Sequence, residues 1–283
     1  MSQVDLHIHS TASDGRHTPA EIVHMAVTAG LTVIALTDHD TIDGLVPAIE
    51  AAREFPALTL IPGVELSTDV PNGEIHVLGY FIDYTGQELK ASLERMRNSR
   101  ANRTEKMVAK LKELGCNIEL ERVKEIAGNG ALGRAHIAQV LLEKGYISSF
   151  KDAFSKYIGR GCPAYVVREK LTPVEAVKLV IKANGTPVLA HPYTALNPEE
   201  LIKELKAVGL AGMEVYYAGY LPSEMNILLS MAEKYELIPT GGTDYHGIDA
   251  ASDIAVGGTD VPIQCVEKLI ALAGRDNNAS GSG

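Results

Sequence analysis

Short apolar runs of β-forming residues alternate with helical segments along most of this chain, and that alternation restricts the possible folds more than any other feature. Runs near residues 3–9, 32–37, 58–62, 75–82, 186–190, 212–216 and 238–242 read as seven strands. Helix starts between them are well marked. Thr18-Pro19-Ala20-Glu21 and Thr172-Pro173-Val174-Glu175 read as capping boxes with proline at the first helical position, and Asn197-Pro198-Glu199-Glu200 is a close variant. Gly30, Gly185 and Gly209 read as helix ends. The pattern predicts an α/β protein built on a parallel sheet, a distorted TIM-like (β/α)7 barrel whose chemistry sits at the C-terminal ends of the strands.

One stretch breaks the alternation. From about Gln87 to Tyr165 there is only helical periodicity, punctuated by Gly115, Gly128-Asn129-Gly130, Gly145 and Gly159. It predicts a helical insertion, 87–165, between barrel segments 1–86 and 166–275, placed as a substrate-binding lid over the strand ends. Its first helix, Glu88 to Leu114, carries the basic run Arg95, Arg97, Arg100, Arg103, Lys106, Lys110 and Lys112, most of it expected on a solvated face. The last residues, 276–283, read as a disordered low-complexity tail.

At 283 residues, with 46% hydrophobic and 22% charged side chains, the chain can bury one large core. A net charge of −10 argues against a surface that coats long duplex nucleic acid, so an anionic substrate must be captured locally. The three cysteines, Cys116, Cys162 and Cys265, form no CxxC pair, which indicates neither a disulfide framework nor a zinc knuckle and fits a reducing, cytoplasmic setting. The first strand begins almost at Met1 and no apolar run approaches spanning length, so neither export nor a membrane is expected. No protein partner is specified.

Six of the nine histidines and three carboxylates gather where predicted strands run out: His7, His9, Asp14, His39, Glu65, His76, His191, Asp244 and His246. His7 and His9, two apart, share one face of an extended strand. An isolated HxH pair is a weak signal, but the recurrence of ligand-type residues at several strand ends is a strong one, because burying so many ionisable groups without metal would be costly. Imidazole and carboxylate without thiolate suit manganese, iron or zinc. The absence of a G-x-S-x-G elbow, a Walker glycine loop or a catalytic cysteine motif leaves metal-activated water as the nucleophile.

These residues resemble the PHP (polymerase and histidinol phosphatase) superfamily, through His7-Ile8-His9, Asp14-Gly15, Thr37-Asp38-His39-Asp40, Gly63-Val64-Glu65, His76, Ala190-His191-Pro192 and Asp244-Tyr245-His246. The resemblance covers nearly the whole chain. Thr11-Ala12-Ser13-Asp14-Gly15, Ile61 to Ser67, Glu74 to Gly79 and Tyr157-Ile158-Gly159-Arg160-Gly161 are similar to the branch with a helical insertion, whose members are 3′,5′-nucleoside bisphosphate phosphatases, some of them also 5′→3′ exoribonucleases on short RNA. The resemblance implies a PHP barrel holding two to three divalent ions, manganese first, with zinc or iron as alternatives. By position it implies that His7, His9, Glu65 and Asp244 bind one ion, that Glu65, His76 and His191 bind a second with Glu65 bridging, and that Asp14, His39 and His246 hold a third. Many members of the family have histidine where Asp14 stands. Asp38 and Asp40 are expected to orient imidazoles, with helix capping as the alternative.

Phosphate contacts are expected from Arg134, His136 and Arg160, with Arg103 and Arg100 weaker candidates and Lys156 read rather as a surface charge, because guanidinium forks bind phosphate bidentately. His17 and His24 read as structural or exposed, and Tyr193, able to stack on a base, as packing. The expected activity is removal of the 3′-phosphate of a nucleoside 3′,5′-bisphosphate, with trimming of short RNA by the same attack. Histidinol phosphate or another small phosphomonoester is the alternative substrate, and a non-catalytic metal-binding PHP module the alternative of another class.

Overall fold

The fourth strand runs against its neighbours, and this places the functional residues. The computed structural model describes residues 3–70, 73–128, 130–168, 170–248 and 254–279. Within them one seven-stranded sheet runs in sequence order: β1 (Val4–Ile8), β2 (Val33–Leu36), β3 (Thr59–Val70), β4 (Gly73–Tyr80), β5 (Thr186–Leu189), β6 (Gly212–Tyr217) and β7 (Ile238–Gly242). The seven predicted strands are present. β1–β2–β3 and β5–β6–β7 pair in parallel, as expected, but β4 is antiparallel to both β3 and β5. Only residues 71–72 separate β3 from β4, whereas a parallel crossover needs about a dozen. His76, at the start of β4, therefore faces the same end of the sheet as residues that follow parallel strands.

The sheet closes where Ile8 bridges Tyr245 in parallel and His9 N–H donates to the Tyr245 carbonyl at 3.0 Å. Buried Asp5 ties the seam, accepting from Thr243 N, Thr243 Oγ1 and Gly257 N at 3.0, 2.7 and 2.9 Å. Val4, Leu6, Val33, Ala35, Tyr80 and Val188 fill the interior with Val266 and Leu269 of α10 (Ile263–Ala279), which packs against the strand beginnings. A second layer joins Ile34, Leu36, Val77 and Leu189 to the outer helices α1 (Pro19–Thr28), α2 (Leu45–Ala52), α7 (Pro173–Lys182), α8 (Pro198–Lys206) and α9 (Pro222–Lys234).

Both predicted capping boxes form, at Thr18/Glu21 and Thr172/Glu175. The Asn197 side chain instead reaches Glu200 Oε2 and leaves the α8 backbone uncapped. Gly30 and Gly209 take positive φ, but α7 ends through Asn184 (φ 55). Gly185 is needed for close approach: a Cβ there would lie 2.7 Å from Ile82 Cγ2.

Between β4 and β5 lie α3 (Gln87–Glu113), α4 (Leu120–Ala127), α5 (Arg134–Glu143) and α6 (Phe150–Ala153), the last running into a π-helical turn, Phe154–Ile158. Met107, Leu111, Ile118, Val123, Ile137 and Leu141 form a buried cluster separate from the barrel's. Asn129 of the predicted Gly-Asn-Gly turn lies outside the described residues, as do 280–283; α10 continues to Ala279, inside the stretch read as a tail. No described helix is long and apolar enough to cross a membrane.

Candidate metal centre and its cationic cavity

The nine predicted ligand residues converge at one mouth of the barrel. β1 ends in His7 and His9, whose Nε2 atoms lie 3.3 and 3.2 Å from Glu65 Oε2 and 3.2 and 3.1 Å from Asp244 Oδ1. β3 continues past its parallel ladder to present Glu65, bridged there by His39, whose Nδ1 is 2.9 Å from Glu65 Oε2. On the other oxygen, His76 Nδ1 is 2.8 Å and His191 Nε2 3.1 Å from Glu65 Oε1, and these two nitrogens are 3.2 Å apart. His246 Nε2 lies 3.5 Å from Asp14 Oδ1. His191 and Asp244 both take left-handed backbone, φ 27 and 53, as does Asp40 at φ 52. Such a conformation costs a non-glycine residue on the order of 1 kcal/mol, strain of the kind that persists at functional turns.

The donor atoms fit metal ions. His7 Nε2, His9 Nε2, Asp14 Oδ1, His39 Nδ1, Glu65 Oε2 and Asp244 Oδ1 are buried and, despite their short separations, make no hydrogen bond among the described residues. Their lone pairs converge on common points instead of on one another. His7, His9, Glu65 and Asp244 form one compact group, His9, Asp14, His39 and His246 another, and His39, Glu65 and His76 a third, each with ligand atoms within 4.8 Å. Burial alone would raise the Glu65 carboxyl, but His39, His76 and His7 hold it well below the usual range, so it stays an anion.

A ring of further contacts aims these ligands. Glu214 was not foreseen: its Oε1 lies 3.0 Å from His7 Nδ1 and its Oε2 accepts from His191 N at 2.8 Å, tying β1 to the end of β5. Its signal was a carboxylate inside the otherwise buried strand Gly212-Met213-Glu214-Val215. Tyr217 Oη donates to Asp244 Oδ2 at 2.8 Å. Asp38 and Asp40 do not orient imidazoles, nor do they cap α2, whose first flanking residue is Gly44. Asp38 accepts from Ser10 N, Ser10 Oγ and Ser13 Oγ, each at 2.7 Å, fixing the loop between His9 and Asp14. Asp40 accepts from Ser67 N, Arg100 Nε and Arg168 Nη2 at 2.8, 2.7 and 2.8 Å.

Beside the cluster lies a cavity of about 170 Å³ that has Asp14, His39 and His76 in its wall. Arg100, Arg103, Arg134, Arg168 and Lys170 also line it, against Glu74 within the wall and Asp40 behind it. Arg134 Nη2 donates to Glu74 Oε2 at 2.7 Å, with its guanidinium 5.4 Å above the Phe154 ring, and Lys170 Nζ is 2.7 Å from Glu74 Oε1. Arg103 Nε and Arg168 Nε and Nη1 are buried with no hydrogen-bond acceptor among the described residues. Burial, with Arg100, Arg168 and Arg134 close by, pushes Arg103 down to about 9, and burial pushes Lys170 down to about 8 against the pull of Glu74. Positive charge in excess of its partners and held out of water is chemically suited to an anion.

Of the predicted substrate contacts, Arg134 and Arg103 line this cavity, as does Arg100. His136 lines a neighbouring cavity that shares Asp14 and Ala135, and its Nδ1 accepts from Gly133 N at 3.0 Å. Arg160 points elsewhere, donating to Val70 O at 2.7 Å and Gly73 O at 3.0 Å across the β3–β4 turn. Lys156 pairs with Asp152 at the surface. His17 bonds Tyr245 Oη and exposed His24 packs edge-on to Phe55, both outside the cluster. Arg168 and Lys170 were not foreseen; their only signal was a pair of cations two apart just after the insertion.

Imidazoles and carboxylates gathered at a barrel mouth, next to an under-compensated cationic cavity, define a metal-dependent enzyme that acts on phosphate esters. The PHP domain family matches residues 5–238. A 5′-3′ exoribonuclease of Haemophilus influenzae is 36% identical over 246 residues, 86% of this chain and 89% of that protein. A 3′,5′-nucleoside bisphosphate phosphatase of Chromobacterium violaceum is 32% identical over 255 residues, 87% and 88% of the two chains. Among solved structures, an amidohydrolase of Chromobacterium violaceum with bound sulfate and no metal superposes with a TM-score of 0.87 at 30% identity, covering 95% of this chain and 96% of that one. A protein of Bifidobacterium adolescentis assigned as a metal-dependent phosphoesterase superposes at 0.85 and 28% identity, covering 95% of each. The chain belongs to the PHP domain family. It is a hydrolytic, metal-dependent phosphoesterase with a distorted TIM-like barrel.

Proposed function

We propose that this enzyme removes the 3′-phosphate of nucleoside 3′,5′-bisphosphates and, by the same attack, trims short 5′-phosphorylated RNA from its 5′ end. The observation that carries this reading is the cationic cavity abutting the ligand cluster, which gives one substrate two phosphate positions. His7, His9, Glu65 and Asp244 would hold one divalent ion, Glu65, His76 and His191 a second, and Asp14, His39 and His246 a third, manganese being the first choice for this nitrogen and oxygen donor set. Ions bound there supply Lewis-acid activation of water and neutralise charge on the phosphoryl oxygens. Water attacks phosphorus, the P–O3′ bond breaks, and O3′ takes a proton. Arg103, Arg134 and Lys170 hold the 5′-phosphate, while Asp40 and Glu74 set the directions of the guanidinium groups around it. The insertion acts as a lid, since α3 and α5 contribute Arg100, Arg103 and Arg134. The excess positive charge disfavours histidinol phosphate, whose ammonium group would meet like charge. Free cysteines, two of them buried, agree with a cytoplasmic setting.

Arg134→Ala tests the reading. Metal content should stay intact while KM for the bisphosphate rises by about tenfold or more, the worth of one charge-assisted phosphate contact, with a smaller effect on an aryl phosphate. Equal losses on both substrates would remove Arg134 from the phosphate subsite.

A further inference from the structure

Across the mouth from the cationic cavity stands a chain of tyrosine rings. In strand order β6 lies opposite β2 and β3, and its last residue, Tyr217, bonds Asp244 and stands 5.7 Å from the His191 ring. Tyr220 follows with its ring 4.9 Å from that of Tyr217, and Tyr193 is 5.2 Å beyond. Burial falls outward along the series, from half-buried Tyr217 to Tyr193, which is 36% exposed. The outer rings are pinned by backbone contacts: Tyr193 Oη donates to the Glu224 carbonyl at 3.2 Å, and Tyr220 Oη accepts from Tyr193 N at 3.3 Å. Tyr193 also sits on the short turn Pro192–Thr194, directly after the strained His191.

Rings held rigidly, partly exposed and leading away from a site that cleaves phosphate esters offer stacking faces, which single-stranded nucleic acid uses without regard to sequence. With the terminal phosphate in the cationic cavity and the scissile phosphate over the ligand cluster, the chain beyond that phosphate must leave by another side of the mouth. We propose that Tyr193 and Tyr220 form a subsite for the base of the nucleotide that follows the scissile phosphate in a 5′-phosphorylated oligoribonucleotide. This rests on the phosphatase and exonuclease reading above. Water adds to the scissile phosphorus, the P–O3′ bond to the first nucleoside breaks and O3′ takes a proton. A nucleoside 5′-monophosphate leaves, and the shortened chain keeps the phosphate at its new 5′ end, with its first base on the tyrosines.

The experiment compares metal-loaded wild type with Tyr193→Leu and Tyr220→Leu, which keep an apolar side chain and lose the aromatic face together with the Oη contact. Substrates are a nucleoside 3′,5′-bisphosphate, a 5′-phosphorylated dinucleotide, and that dinucleotide abasic at its second position. Wild type should favour the full dinucleotide over the abasic one by about tenfold in kcat/KM, and the preference should collapse in either variant. The wild-type comparison needs no variant to fold. Indifference of wild type to the second base, or the same preference in wild type and variants, overturns the stacking subsite while turnover of the bisphosphate leaves the phosphatase reading standing. No turnover of any of the three by fully loaded wild type overturns both.

Discussion

Glu65 lies within 3.3 Å of five imidazoles, those of His7, His9 and His39 on one oxygen and of His76 and His191 on the other. The proposed role of a side chain so placed is to bridge two ion positions, and replacing its charge without changing its shape isolates that role. Glu65→Gln is expected to lose bound metal and to lower turnover by more than about 100-fold, the upper loss for groups that merely orient a ligand; wild-type metal content and rate would refute the bridge. Lys170 offers a pH test. Its amine is charged below about 8 and neutral above, and an anionic phosphate favours the charged form, so KM for the bisphosphate should climb as pH rises through that value. Lys170→Arg stays charged and should flatten the climb; an unchanged profile would place the titration elsewhere. At this scale the sequence was informative about which side chains gather, because imidazoles and carboxylates at strand ends have few inexpensive alternatives. It was poor on the cationic wall. Arg160 and Arg168 look alike as letters, yet one clamps two backbone carbonyls and the other pairs with buried Asp40, and only the path of the chain separates them.

Among the elements, the β3–β4 hairpin decides how the site is assembled. The antiparallel pairing of β4 with β3 brings His76 to the ligand mouth and places Glu74, at the same end, beside Arg134 and Lys170. Alternation in the sequence predicts seven strands but carries no direction, so the reversal was not visible in the apolar pattern; loop length was the clue. Capping boxes were legible because Thr18 and Thr172 satisfy their helices locally, whereas Asn197 turns its side chain to Glu200 in the same first turn and Gly185 answers to a tertiary close approach. Arg160 ties together the last residue of β3 and the first of β4, outside the cavity. Arg160→Ala should lower stability by about 1 kcal/mol and the melting temperature by a few degrees, with KM for the bisphosphate unchanged. A selective rise in KM without a stability loss would return Arg160 to the substrate site.

For the whole molecule, two cores divide the labour. The barrel core fixes the ligand turns, and the helical segment between β4 and β5, with its own apolar cluster, carries Arg103 and Arg134 to the mouth. Net acidity does not conflict with the proposed cationic capture, because five positive side chains line one cavity of a chain whose charge is −10. The proposed role of this cavity is to select a second phosphate on the substrate. The most direct measurement is kcat/KM of manganese-loaded enzyme, with metal quantified on the same sample, for adenosine 3′,5′-bisphosphate beside adenosine 3′-monophosphate, which differs only in lacking the 5′-phosphate. A preference of about 100-fold or more for the bisphosphate is predicted from two or more charge-assisted contacts. Equal turnover of the two would contradict the claim and leave the metal cluster acting on phosphate esters without a second anchoring phosphate.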